Sequence, residues 1–176
     1  MPVPRRIRRE CEELLAKLPI PDPFDIDAFI AALAAERGRP IALEPLPDDA
    51  GPEVPSGLWV RLPHGDVIFY KKNTSLPHQT LIILHELAHM IWEHKCRVEE
   101  DILKSIFPDL DDTLVSSLLL TRDGYDRIEE AQAEMMALLL AEALGADEGS
   151  TRQSRVLYRS LSFPVRKILS GWRRAA

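Results

Sequence analysis

Two cysteines in 176 residues, Cys11 and Cys96, form no C-x-x-C pair and no disulfide framework, which implies reduced thiols in a cytoplasmic protein. No apolar run approaches the ~20 residues that a membrane helix needs, so a membrane partner is not expected. Met1-Pro2-Val3-Pro4, followed by Arg5, Arg6, Arg8 and Arg9, lacks the apolar core of a secretory signal, and the expected location is the cytoplasm. There is no internal repeat and no low-complexity tract. What is present suits one globular domain: 45% of residues are hydrophobic, enough to bury a core without staples.

The charge is unevenly spread along the chain. Residues 151–176 carry seven basic side chains (Arg152, Arg155, Arg159, Arg166, Lys167, Arg173 and Arg174) and no acid. With 22 basic and 28 acidic residues in all, residues 1–150 keep 15 basic and 28 acidic, a net charge of −13. An acidic body repels phosphates, which argues against direct nucleic-acid binding. The basic tail has few aromatics to stack on bases (Tyr158, Phe163 and Trp172) and reads first as a solvated helix face.

Ile7, Cys11, Leu14, Leu15 and Leu18 share one face of a first helix, which Pro19, Pro21 and Pro23 end. Asp25 is placed to cap a second helix, with Phe24 and Phe29 as a hydrophobic staple and Gly38 as its stop. Ile26, Phe29, Ile30 and Leu33 form its buried stripe. Ile41 to Leu43, the alternating Leu58 to Leu62, a turn over Pro63 to Asp66 and a returning run Val67 to Lys72 predict a small antiparallel sheet. Its last strand is expected to offer an edge to an extended peptide. After it, Asn73-Thr74-Ser75 offers an N-cap for a helix running to about His94. Further helices are expected over 98–106, from Asp111 or Asp112 to Leu120, and over 126–144, the last stopped by Gly145.

The chemistry concentrates in His85-Glu86-Leu87-Ala88-His89. Two histidines four apart on a helix lie one turn above each other and can bind one Zn²⁺, with open positions left for water and substrate. Glu86 flanks such a metal without binding it and can take a proton from water that the metal acidifies. Five-residue patterns recur by chance, so context matters. Leu81 to Leu84 and Met90 to Trp92 make this helix apolar nearly all round, and buried histidines need partners.

A catalytic zinc usually takes three protein ligands. His94 lies five residues past His89, about 140° around a continuing helix, and so is expected to point elsewhere, near the last carbonyls. The later helix offers a better candidate. Glu130, Ala133, Glu134, Ala137 and Ala141 share one face, and alanines let two helices approach closely. Glu130 is then expected to reach the metal, and Glu134 to accept the other ring N–H of a ligating histidine. Tyr70, Tyr125, His64, His78 and Arg127 are all open as oxyanion stabilisers.

The stretch VIFYKKNTSLPHQTLIILHELAHMIWEH (Val67 to His94), with EAQAEMMALLL (Glu130 to Leu140), resembles the ImmA/IrrE family of zinc metallopeptidases. That family joins a short strand, an HExxH helix and a later E-x-x-A-[DN]-x-F-A-like helix whose first glutamate is the third ligand. Met136 stands where the family's pattern has phenylalanine, and Leu138-Leu139-Leu140-Ala141 lacks its closing proline. The resemblance implies a mostly helical, zincin-like α+β domain with a small antiparallel sheet beside the HExxH helix. That domain would cover 1–148: N-terminal helices (1–40), sheet (41–72), HExxH helix (75–95) and Glu-ligand helix (126–144), with the basic tail over 149–176. It further implies His85, His89 and Glu130 as zinc ligands, Glu86 as base, Glu134 as the supporting acid, and a helix-turn-helix transcriptional regulator as protein substrate.

Two functions compete. One is a zinc endopeptidase that cleaves or inactivates a regulatory protein. The other is a non-catalytic zinc-binding regulator, or a toxin–antitoxin component, that sequesters its partner. An intact Glu86 favours the first, because a structural ion needs no base and tends to take four protein ligands.

Overall fold

The computed structural model describes residues 5–48, 54–62, 65–94, Lys104 and 127–145. Within them the chain forms α1 (Arg5–Leu15), α2 (Ile26–Arg37), β1 (Ile41–Pro45), β2 (Gly57–Leu62), β3 (Gly65–Tyr70), α3 (Leu76–Ile91) and α4 (Arg127–Gly145). It is an α+β arrangement of four helices and one three-stranded sheet among the described residues. The helices expected over 98–106 and 111–120 and the basic tail lie outside them.

Local signals explain most boundaries. Asp25 caps α2 by accepting from the Ala28 N–H at 2.8 Å, and the Phe24 and Phe29 rings meet at 5.4 Å as the staple predicts. Gly38 ends α2 at φ 61°, where its N–H reaches Ala35 O and the next N–H, of Arg39, reaches Ala34 O. Ser75 opens α3 through its backbone carbonyl, which accepts from His78 and Gln79 N–H, while Gln79 Nε2 ties back to Lys72 O and Thr74 O.

The sheet corrects one expectation. It is mixed, in the order β1-β3-β2: β3 is its centre, antiparallel to β2 and parallel to β1. The last strand is therefore no edge; β2 and β1 are. Alternating hydrophobicity reports which face of a strand is buried, but neither its partner nor its direction. β2 is also buried on both faces rather than on the one its alternation suggests: Trp59 is 1% exposed and Val60 fully buried. Trp59 and Ile68 point to the helices, whereas Leu58, Val60 and Phe69 join Leu46 in a smaller cluster on the other face. Asp66 sits buried below, accepting from Trp59 Nε1 at 3.1 Å and pairing with Arg39.

α4 packs between α1 and α3. Ala133, Ala137 and Ala141 are all buried, as a close helix contact requires, with Leu84, Leu87, Met90, Met136 and Leu140 filling the same core. Cys11 is buried there too; its thiol points at Gln132 O, and burial pushes it up to about 12, so it is a poor nucleophile. Among the described residues no helix is long and apolar enough to cross a membrane.

Candidate metal site

α3 brings His85 and His89 one turn apart, their Nε2 atoms 3.0 Å from each other. α4 closes the group: Glu130 lies 3.7 Å from His85 Nε2 through one carboxylate oxygen and 3.6 Å from His89 Nε2 through the other. Donors about 2.0–2.1 Å from a shared tetrahedral ion stand roughly 3.3 Å from one another. The three separations bracket that value, so His85, His89 and Glu130 could hold one metal ion. Glu130, named from the sequence, is thus beside both histidines, and the alanines that share its face are buried.

Electrostatics fits the same use. Burial, then the neighbouring His94, brings the His85 imidazole down to about 4. Burial, His85 and His94 lower His89 as well. Both rings are neutral at pH 7 and keep a lone pair for a cation. Burial and then Glu129 push the Glu130 carboxyl above its usual range, the opposite of what a bound cation would do. A divalent ion would relieve this crowding of half-buried carboxyls.

Glu86 turns to the other side. It is 7% exposed, and its Oε2 accepts from the Trp59 N–H at 3.0 Å. Burial pushes its carboxyl up to about 8, against the Trp59 N–H, which lowers it, and with Glu130, which raises it further. Gly57 makes the room for it. A Cβ there would stand 2.5 Å from Ile82 Cγ2 and 2.7 Å from Glu86 Oε1. Gly57→Ala is therefore expected to destabilise the fold by about 1–3 kcal/mol, by overpacking, and to displace the Glu86 carboxylate. Urea unfolding checks this; a change within about 0.5 kcal/mol would mean the pocket gives way freely.

Glu134 does not take the supporting role expected of it. It lies half-buried one turn beyond Glu130, its carboxyl raised by burial and then by Glu130. The partner of His89 Nδ1 is His94, whose own Nδ1 is 2.9 Å away. His94 gets there because α3 stops early: Trp92 caps it, Glu93 adopts φ 54°, and the His94 N–H closes onto His89 O at 3.0 Å. A residue with a Cβ in the left-handed region gives no warning in sequence, where glycine is the usual stop. His94 Nε2 continues to Gln132 Oε1 at 3.2 Å, and the Trp92 ring lies nearly parallel to His94, 6.2 Å between centroids.

Of the other candidates, Tyr70 packs half-buried against the main core. His78 is on the outside, 2.8 Å from Thr74 Oγ1, and Arg127 is exposed at the start of α4. His64 and Tyr125 lie outside the described residues. Comparison with protein-family models, with curated proteins and with solved structures finds no match to this chain.

Proposed function

We propose that the chain is a zinc-dependent endopeptidase that cleaves or inactivates a regulatory protein in the cytoplasm, with a helix-turn-helix repressor as the class its resemblance implies. The observation that carries this reading is Glu86: a buried carboxylate adjoining two neutral imidazoles and a carboxylate, bonded to Trp59 rather than enlisted as a ligand. Two histidines and a glutamate are a donor set of catalytic zinc, with one position left over. Zinc held there would supply the Lewis acidity that brings water toward pKa ~7 and polarises a peptide carbonyl. Glu86 is the residue that would hold and move the proton, taking it up on Oε1, which Trp59 does not engage, and passing it to the departing amine.

The edge of β2 supports a peptide substrate. Lys71 N–H donates to Ser56 O at 2.8 Å, and hydrogen-bonded pairs alternate along an antiparallel ladder. Leu58 and Val60 therefore bond to β3, while Gly57, Trp59 and Arg61 turn their backbone groups outward. Glu86 already sits on that outer side, at Trp59. An extended peptide adding to this edge would run past the base.

The test is cleavage of a candidate repressor by purified protein. Chelation is expected to abolish it and added zinc to restore it. Cleavage that persists in chelator would remove the metal from the mechanism.

A further inference from the structure

The contacts behind His89 form a chain whose direction is set at Gln132. Glu10 on α1 pairs with Arg6 at 2.6 Å, and the nearby Gln132 amide helps to hold its carboxyl below the usual range. The Gln132 amide turns its Oε1 to His94, and an amide oxygen can only accept. His94 Nε2 must then carry the proton it shares with Gln132 Oε1 at 3.2 Å. In a neutral ring that leaves His94 Nδ1 as an acceptor. Across 2.9 Å, His89 Nδ1 must therefore be the donor, and His89 Nε2 bears the lone pair. That lone pair is the one beside His85 Nε2 and Glu130.

We propose that Gln132 and His94 are positioning residues, which lock His89 in the Nδ1–H tautomer and aim its Nε2 at the metal. The inference rests on the metal-site reading and adds to it how the site is set. The opposite direction would place a hydrogen on His89 Nε2 and block coordination. The contact is built in rather than incidental: His94 is 7% exposed and His89, which it faces, only 1%, with Gln132 half-buried on α4.

Two measurements test it. Nitrogen-15 NMR of the metal-free wild type reads the tautomer of His89 directly. Zinc affinity, from competition with a chromophoric chelator, is compared among wild type, His94→Phe and His94→Gln. His94→Phe keeps an aromatic ring beside Trp92 but has no acceptor, and should weaken zinc by about 10–100-fold. His94→Gln supplies a carbonyl to His89 Nδ1–H and should recover most of that loss. An Nε2–H tautomer in wild type, or unchanged affinity in His94→Phe, overturns the relay. If the wild type binds no zinc at all, the metal reading falls instead, and the tautomer alone decides the relay.

Discussion

Glu86→Gln is expected to keep fold and metal while lowering peptide hydrolysis by about 10²–10⁴-fold, the usual cost of a lost general base. The substitution is nearly isosteric, which matters because Gly57 and Ile82 leave no spare room around this side chain. The amide oxygen can still accept from Trp59 N–H, so this buried hydrogen bond survives. What disappears is the capacity to take up a proton. Burial, opposed by the Trp59 N–H and helped by Glu130, pushes the carboxyl up to about 8, and a divalent cation beside it would pull the other way, toward an ionised base at neutral pH.

The same variant separates proteolysis from sequestration. In a co-expression reporter with a blot of the repressor, wild type should cut the repressor and relieve repression. Glu86→Gln should bind it, leave it intact and leave repression in place; His85→Ala should do no better. Full derepression by Glu86→Gln with uncut repressor would falsify the peptidase reading and favour a sequestering module.

How far the sequence reaches is clearest around the two helices of the site. The spacing of His85 and His89, and the alanines that follow Glu130, are periodic features, and a straight helix turns period into position. The geometry that brings His85, His89 and Glu130 together was legible for that reason. His94 was not, because its placement depends on where α3 ends, and Glu93 at φ 54° ends it without a glycine. Gln132 was hidden differently. α4 is buried on several sides, and the face bearing Gln132 meets α1 and His94 rather than the face bearing Glu130. Strand order was out of reach as well, since the alternation in β2 and β3 suits either edge or centre until the partners are known.

Removing a ligand should have the largest effect on metal content. Wild type is expected to hold about one zinc per chain, and His85→Ala and His89→Ala to lose it, because two remaining donors make a poor zinc site. Glu130→Ala should strip zinc or weaken it severely, since it removes the one negative charge in the set and the only ligand from α4. His89→Ala should also cost most in the metal-free fold: His89 is among the largest fully buried side chains, and its loss opens a cavity beside His94. Thermal unfolding with and without zinc separates the two contributions. A metal that binds only the folded state stabilises it by about 2.7 kcal/mol at a hundredfold excess over Kd. Wild type should therefore melt higher when zinc is added, and the three variants should melt at one temperature with or without it. Full zinc occupancy in both histidine variants would sink the site, and wild-type affinity in Glu130→Ala would show that the third donor lies elsewhere.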